Sequence, residues 1–322
     1  MSRGPQLAVR VARKAVEADG ICSFELVAAD GAPLPAFSAG AHIDVHLPGG
    51  LTRQYSLCNP PAETHRYLIA VLRDAASRGG SLAMHDRVQE GDLLTISAPK
   101  NHFPLAPQAA SHLLLAGGIG ITPLLCMAEH LAATGGEFEL HSCTRSKARS
   151  AFVERIGRSD FAARVHWHFD DGNAAQQIDL AAVLGAPVAG RHLYVCGPQG
   201  FMDAVLRNAR ALGWPAEQLH YEFFAAAPVD ANGNRPFEVR LASSGRLIPV
   251  PADQTVVQAL ADAGVNLPTS CEQGVCGTCL TRVIDGEPEH RDQYLTPEEQ
   301  AANDQFLPCC SRSKSARLVL DL

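Results

Sequence analysis

Four cysteines in the last quarter of the chain constrain its fold more than any other feature. Cys271, Cys276 and Cys279 follow one another with the spacing C-x4-C-x2-C, and Cys309 comes after a further 29 intervening residues. This is the ligand spacing of a plant-type [2Fe–2S] cluster, in which one loop supplies three thiolates and a distant segment supplies the fourth. The C-terminal region must therefore fold so that these two segments meet around one cofactor.

A structural zinc site and an unligated group of thiols are the two alternative interpretations. Structural zinc usually takes two C-x2-C pairs, whereas this region contains only one. Gly274 and Gly277 alternate with the cysteines and would let a loop wrap closely around a cluster. The pattern therefore favours an iron–sulfur cluster. Cys310 adjoins Cys309 and stays an alternative fourth ligand, although the spacing favours Cys309.

Length and composition set the outer limits. A chain of 322 residues with 46% hydrophobic and 19% charged residues is typical of a soluble protein of two or three domains. Ten cysteines without an N-terminal apolar segment predict a reducing, cytoplasmic location. The net charge of −7 disfavours nucleic acid as the main partner, and no stretch is long and apolar enough to predict a membrane span. We expect a monomer.

The first region, residues 1–103, contains short alternating apolar runs such as 42–47 and 67–72. Gly and Pro residues separate these runs. Alternation with period two indicates strands that are buried on one face, and tight turns between them are typical of antiparallel sheets. The pattern predicts an antiparallel β-barrel.

The rest of the chain divides into two further regions and a linker. In residues 104–226, apolar strands at 112–116 and 192–196 each precede a glycine-containing turn and a helical run, which predicts an α/β domain with a parallel sheet. Residues 227–236 are small, polar and rich in Pro and Gly, as in a linker. Residues 237–322 form the predicted cluster domain.

Two turns of the α/β region indicate a nucleotide site. The run Gly117-Gly-Ile-Gly-Ile-Thr-Pro123 lies between a strand and a helix, with Thr122 as the predicted N-cap. Glycines at that position let a phosphate approach the backbone N–H groups at a helix start. The run differs from the G-x-G-x-x-G fingerprint, and alone it is as often a tight connection as a ligand site. A second such turn, Cys196-Gly-Pro-Gln-Gly200, favours a site where both strands end.

The barrel region contains a matching set of phosphate-binding residue types. Arg53-Gln-Tyr-Ser-Leu57 supplies a guanidinium, a phenol and a hydroxyl, and Ser77-Arg-Gly-Gly-Ser81 supplies hydroxyls and a glycine pair. The glycine pair would expose backbone N–H groups to an anion. A strand with one exposed arginine and a flexible loop remains an equally good interpretation of these residues alone.

Taken in order along the chain, these motifs resemble those of one known family. Arg-x-Tyr-Ser, Gly-Gly-Ile-Gly-Ile-Thr-Pro, Cys-Gly-Pro and the C-terminal cysteine motif together resemble the phthalate dioxygenase reductase family, which includes the vanillate demethylase reductases. The resemblance extends over essentially the whole chain. It implies an FMN-binding antiparallel β-barrel, an NADH-binding α/β parallel-sheet domain and an α+β plant-type ferredoxin domain. It also implies a reductase that passes electrons from NADH through FMN and the cluster to a separate Rieske-type non-haem iron oxygenase.

The resemblance also assigns residues to the flavin. It places Arg53 and Ser81 on the FMN phosphate, with help from Gly80. The residues that it places along the flavin itself are Tyr55, Ser56, Thr122 and the ring-covering Phe224, with Phe223 as an alternative.

For the nicotinamide nucleotide, the resemblance places Gly117, Gly118 and Gly120 against the phosphates and Cys196 near the nicotinamide, with Gly197 and Pro198 in the same turn. A buried thiol at a strand end is the alternative interpretation of Cys196. Asp171 follows another apolar strand, where an acid accepts hydrogen bonds from the ribose hydroxyls and repels a 2′-phosphate. This favours NADH, while Arg145 and Arg149 would suit NADPH.

The electron acceptor is the least determined part of the prediction. The chain contains neither the C-x-H pairs of a Rieske centre nor H-E-x-x-H, so we expect oxygen activation elsewhere. Residues 231–322 contain 12 acidic and 8 basic residues, which predicts a transient partner with a basic surface. A haem monooxygenase or a free ferredoxin as acceptor, and a non-enzymatic electron carrier or redox sensor, remain alternatives.

Overall fold

The computed structural model describes residues 6–47, 50–74, 79–224 and 233–322. Two compact units are present, Met1–Phe224 and Ala225–Leu322. The strands of the first unit are β1 (Gln6–Ala18), β2 (Ile21–Ala28), β3 (His42–His46), β4 (Thr52–Ser56), β5 (Tyr67–Leu72), β6 (Leu93–Ser97), β7 (Ser111–Gly117), β8 (Glu137–Thr144), β9 (Val165–Phe169), β10 (Arg191–Cys196) and β11 (Leu219–Glu222). Its helices are α1 (Gly80–Asp86), α2 (Ile121–Thr134), α3 (Val153–Gly157), α4 (Leu180–Leu184) and α5 (Gln199–Ala211).

The first six strands form the predicted antiparallel barrel. Their order is β4-β3-β6-β1-β2-β5, and every pairing is antiparallel. A bridge between Leu57, directly after β4, and Ile69 of β5 connects the two edge strands. Alternate residues of each strand point inward, so Val9, Val11, Phe24 and Leu26 are fully buried. This is the two-residue period from which the sequence predicts the barrel.

The remaining strands of the first unit form a parallel sheet in the order β11-β10-β7-β8-β9. Within β7, Leu114 packs with α2 and α3, whereas Leu113 and Leu115 pack with α4 and α5. Helices therefore cover both faces, as the alternation of strands and helices predicts.

The predicted N-cap at Thr122 is wrong. A short 3-10 turn over Gly118–Gly120 precedes α2, the cap position is Gly120, and no side chain caps the helix. Thr122 lies inside the first helical turn, where its hydroxyl donates to the Ile119 carbonyl at 3.0 Å. The 3-10 turn extends the helix backward, so the helix begins before Thr122 and this residue cannot be its cap.

The second unit is α+β. Its strands are β12 (Phe237–Leu241), β13 (Leu247–Val250), β14 (Thr281–Asp285), β15 (Pro288–Glu289), β16 (Gln305–Phe306), β17 (Arg312–Ser313) and β18 (Arg317–Leu320), and its helices are α6 (Val256–Asp262) and α7 (Pro297–Ala302). The main sheet has the order β13-β12-β18-β14-β16, and β15 pairs with β17. Residues 227–232 of the predicted linker lie outside the described residues. Within the described ranges, no helix is both long enough and apolar enough to cross a membrane.

A buried arginine fixes the start of this second unit. The Arg312 side chain donates to the carbonyls of Gln254, Arg235 and Pro251 at 2.7, 3.1 and 3.0 Å. Its guanidinium also lies over the Phe237 ring, 5.2 Å from the centroid. Three carbonyls and an aromatic face compensate for the cost of burying this cation.

Pairs of neutral histidines lie within the parallel sheet. His141 Nδ1 and His168 Nε2 are 2.9 Å apart, and His192 Nδ1 and His220 Nε2 are 2.8 Å apart. Burial, with His166 and His168 beside it, lowers the pKa of His141 to about 3. Burial and the neighbouring histidines similarly lower the pKa of His220 to about 4. Each pair needs at least one neutral ring to accept the hydrogen bond, and burial favours the neutral form of His141 and His220.

We predict that acid destabilises the first unit through His141. Its unfolded form binds a proton below about pH 6.5, whereas its folded form stays neutral to about pH 3, so stability falls as pH drops through this window. At pH 5.5 the loss is about 1 kcal/mol, which allows for partial solvent screening. Urea unfolding of His141→Gln at pH 7.5 and 5.5 should show a smaller pH dependence than wild type. His65→Gln, which changes an exposed histidine, is the control and should keep the pH dependence of wild type. Equal pH dependence in all three proteins would contradict the prediction.

Candidate functional site

Arg53 lies against the start of α1. A Cβ atom added to Gly80 would be 2.6 Å from Arg53 Cγ and 2.8 Å from Arg53 Nε, so only glycine lets the arginine lie this close to the helix. Ser81 is the next residue, and its hydroxyl accepts a hydrogen bond from the Asp74 N–H group at 3.2 Å. The structure thus brings together three predicted phosphate-site residues from separate parts of the chain. The preceding residues 77–78 lie outside the described residues.

Tyr55 and Ser56 follow on the same strand. Tyr55 is half-buried, and burial raises the pKa of its phenol, which keeps the hydroxyl protonated. Ser56 is buried, and its hydroxyl donates to Glu222 Oε2 at 3.3 Å. Since Ser56 belongs to the barrel and Glu222 to the parallel sheet, this hydrogen bond joins the two halves of the first unit at one point.

Glu222 is a functional candidate that the sequence analysis missed. It ends β11 and is the direct strand partner of Cys196 at the end of β10. Burial raises the pKa of Glu222 to about 7, so its charge changes near neutral pH. Burial raises the pKa of the Cys196 thiol, and the charge of Glu222 raises it further. The available signal was an acid at the carboxyl end of a parallel strand.

The two predicted glycine turns contact each other directly. A Cβ atom on Gly120 would lie 2.1 Å from the Cys196 carbonyl oxygen, and one on Gly197 would lie 2.8 Å from Gly117 Cα. A Cβ atom on Gly117 would meet Phe201 and Pro198, the residue just before α5. These glycines therefore allow the two turns to pack together.

Gly118 differs from its neighbours. It has a φ of 52°, and a Cβ atom there would have nothing within 4 Å. Of the three glycines that were predicted to face the nucleotide phosphates, Gly118 is thus the one that opens onto free space. Gly117 and Gly120 face protein atoms.

Two further pairs of predicted residues have distinct positions. Phe224 is 37% exposed, whereas its alternative Phe223 packs against the core between the sheet and α5. Exposure makes Phe224 the better candidate for covering a flavin ring. Asp171 is exposed, and its N–H group donates to the Arg145 carbonyl at 3.0 Å. The acid that favours NADH and the arginine that would favour NADPH therefore lie at the same edge of the sheet.

In the second unit, the four predicted cluster ligands are buried close together. The Cys271 thiol interacts with the thiols of Cys276 and Cys309, and the Cys279 thiol interacts with that of Cys309. These interactions lower the pKa values of Cys271 and Cys279 and raise those of Cys276 and Cys309. In the part of the chain that the structure describes, no three His, Cys, Asp or Glu side chains are arranged around a single metal ion. The thiol interactions run from Cys276 through Cys271 and Cys309 to Cys279.

Cys310 has different surroundings. Its thiol donates to the Leu307 carbonyl at 3.7 Å and lies 3.7 Å from the Ser311 hydroxyl. A Cβ atom on Gly274 would lie 2.4 Å from Cys310 Sγ, so this thiol packs against the backbone of the cysteine loop. The adjacent thiols of Cys309 and Cys310 also contact each other.

Asp292 connects the cysteine loop to the segment that contains Cys309. Its fully buried carboxylate accepts from the Leu295 N–H group at 2.9 Å and from the Ser311 hydroxyl at 3.4 Å. The next residue, Gln293, donates its N–H group to the Gly274 carbonyl at 3.0 Å. The two segments that supply the thiols are therefore held by the same turn.

Comparison with known proteins agrees with this arrangement. Residues 239–314 match the family model of the 2Fe-2S iron-sulfur cluster binding domain. The chain is 59% identical to the vanillate O-demethylase oxidoreductase of Pseudomonas putida, over 95% of this chain and 96% of that protein. The chain therefore belongs to the phthalate dioxygenase reductase family of oxidoreductases.

Solved structures extend the likeness to the fold. One is phthalate dioxygenase reductase, described as a modular structure for electron transfer from pyridine nucleotides to [2Fe-2S]. It is 43% identical to this chain, with a TM-score of 0.78 and 98% coverage of both chains. Another is an intact type IV self-sufficient cytochrome P450 monooxygenase, which is 39% identical with a TM-score of 0.85. The match covers 98% of this chain but only 41% of that one.

We predict that Cys309 and Cys310 differ in their importance for cluster binding. Cys309→Ser should lose most of its iron and acid-labile sulfide per chain, because its thiol contacts two other candidate ligands. Cys310→Ser should keep the wild-type content and the wild-type visible circular dichroism. The two variants are matched controls for each other. The reverse result would make Cys310 the ligand.

Proposed function

We propose that this protein is the reductase component of a multicomponent oxygenase, which takes electrons from NADH and delivers them to a separate Rieske-type oxygenase. The observation that supports this best is the pairing of a buried four-thiol site with a barrel and a nucleotide sheet in one chain. When bound, FMN accepts the two electrons of a hydride and releases them singly, which matches NADH to a one-electron cluster. A transient complex, a monomeric state and a cytoplasmic location belong to the same proposal.

The flavin domain in this proposal is residues 1–103. Arg53, Gly80 and Ser81 would hold the FMN phosphate, because a guanidinium fork and backbone N–H groups are the donors that phosphates prefer. Tyr55 and Ser56 would lie along the flavin, and the exposed Phe224 would cover its ring. The Thr122 hydroxyl already donates to the Ile119 carbonyl, so any contact with the flavin would use its free lone pairs.

The nicotinamide site in this proposal belongs to residues 104–226. The glycine turn at 117–120 would hold the NADH phosphates, mainly through the open Gly118, and the Gly197-Pro198 turn would lie beside it near the nicotinamide. Asp171 would accept from the ribose hydroxyls. Ser56, Cys196 and Glu222 would orient the nicotinamide and exclude water from it.

The cluster would be held by Cys271, Cys276, Cys279 and Cys309 in residues 237–322. The Thr278 hydroxyl lies 3.2 Å from Cys276 Sγ, and the Gln273 N–H group donates to Cys271 Sγ at 3.3 Å. Hydrogen bonds to ligand sulfurs stabilise a more negatively charged cluster and so raise its reduction potential.

We predict that Arg53 recognises the FMN phosphate. Arg53→Gln should weaken FMN binding roughly 10- to 100-fold, as expected for the loss of about 1.5–3 kcal/mol from a hydrogen bond to a charged group. Riboflavin, which lacks the phosphate, should bind wild type and variant equally. Flavin fluorescence titration measures both, and Arg87→Gln, at the other end of α1, is the matched control. Equal weakening of both flavins would show that Arg53 does not act on the phosphate.

We predict that Glu222 makes hydride transfer depend on pH near 7. Ionised Glu222 would favour the positive charge that develops on the nicotinamide, so the rate should rise as pH passes through about 7. Glu222→Gln should be slower at pH 8 and lose this dependence. Anaerobic stopped-flow reduction of the flavin by NADH between pH 6 and 8 measures the effect, with the exposed Glu217→Gln as control. A Glu222→Gln profile identical to wild type would refute the role.

A haem protein is the second candidate acceptor. The observation in its favour is the fold shared with part of a self-sufficient cytochrome P450 monooxygenase. Turnover with purified Rieske oxygenases and with haem monooxygenases, at several salt concentrations, would separate the two. The true partner should support faster turnover that declines with salt.

A further inference from the structure

Strand β14 of the second unit has one face turned to solvent. Leu280, directly before this strand, is 36% exposed, and Ile284 is 53% exposed. Arg282, between them, is also exposed, whereas the intervening Thr281 and Val283 are buried. We call Leu280, Arg282 and Ile284 the β14 strip. Exposed apolar side chains that share one face of a strand are a feature of interaction surfaces.

Three aspartates lie in backbone segments next to the β14 strip. Asp285 is the last residue of β14, the Asp304 carbonyl accepts from the Val283 N–H group at 2.8 Å, and the Asp321 N–H group donates to the Arg282 carbonyl at 3.1 Å. All three aspartates are exposed. Arg282 lies 3.9 Å from Asp321. The strip therefore has an apolar side chain on either side of Arg282, and three exposed aspartates against this one arginine give the surface a net negative charge.

The β14 strip begins at the cluster loop. Leu280 directly follows the proposed ligand Cys279, and its N–H group donates to the Gly277 carbonyl at 2.9 Å. Electron transfer between proteins requires the donor and acceptor groups to come close. A partner seated on the strip would contact the residue next to a cluster ligand.

Charge favours an external partner as the occupant of this surface. Residues 231–322 have a net charge of −4 out of the total of −7, which leaves −3 for residues 1–230. Both parts of the chain are acidic, so charge complementarity favours a basic protein as the occupant of this surface. We propose that the β14 strip is the docking surface for the electron acceptor, a protein with an apolar patch ringed by Lys and Arg. This inference rests on the proposed reductase function.

The test uses the full-length protein with FMN and cluster, and cytochrome c as a basic one-electron acceptor. Leu280→Ser and the double variant Asp304→Asn/Asp321→Asn should lower kcat/KM for cytochrome c at least about fivefold, mainly through KM. The double variant should also lose much of the salt dependence. Leu247→Ser, which removes an exposed leucine from β13 at the far edge of the sheet, is the matched control and should match wild type.

A second measurement separates this inference from the proposed function. Anaerobic NADH reduction of the cluster, followed by EPR and stopped-flow absorbance, should be the same in wild type, Leu280→Ser and Leu247→Ser. If wild type fails to reduce its cluster, the reductase function itself is refuted. If wild type succeeds, the docking proposal is overturned by unchanged cytochrome c kinetics in Leu280→Ser, or by slower reduction of its cluster.

Discussion

The direct contact between two strand–helix turns is the constraint on which the first unit depends. Strands β7 and β10 are neighbours in a parallel sheet, so their carboxyl ends lie side by side. The turns that follow them can both fit only because Gly117, Gly120 and Gly197 lack side chains; a Cβ atom on Gly120 would be 2.1 Å from the Cys196 carbonyl oxygen. This contact fixes the end of β10, and β11 beside it places Glu222 next to Cys196. The barrel then adds Ser56, which donates to Glu222.

In the second unit, hydrogen bonds and close contacts at glycine also hold distant segments together. Four thiols must converge although their segments are far apart in sequence, and the buried Asp292 accepts from Ser311 while its neighbour Gln293 donates to the cysteine loop. Close approach again needs glycine, because a Cβ atom on Gly277 would lie 2.3 Å from the Tyr294 ring. In both units, therefore, polar side chains link segments that glycine allows to approach, and the site residues lie on these connected segments.

The parts that the sequence predicts well are those set by local pattern. Period-two alternation predicts the barrel strands, and a strand followed by a glycine turn predicts the parallel sheet. Cysteine spacing predicts which thiols come together. Glu222 and Asp292 escape prediction because their importance comes from burial and from partners in distant strands, which no local pattern records. Thr122 misleads for a related reason: its residue type suits an N-cap, but the preceding 3-10 turn moves the helix start to Ile121.

The three glycines of the turn that follows β7 have unequal surroundings. Sequence treats Gly117, Gly118 and Gly120 alike, since each lies in one glycine-rich turn. Structure separates them by what occupies the missing Cβ position: protein atoms at Gly117 and Gly120, and open space at Gly118. A side chain at Gly117 or Gly120 would push the two turns apart, and this would displace both Cys196 and its strand partner Glu222. A side chain at Gly118 would instead strain a φ of 52° and project toward the proposed nucleotide. A single glycine-rich turn thus supports the fold at two positions and is open at the third, where the proposed nucleotide would lie.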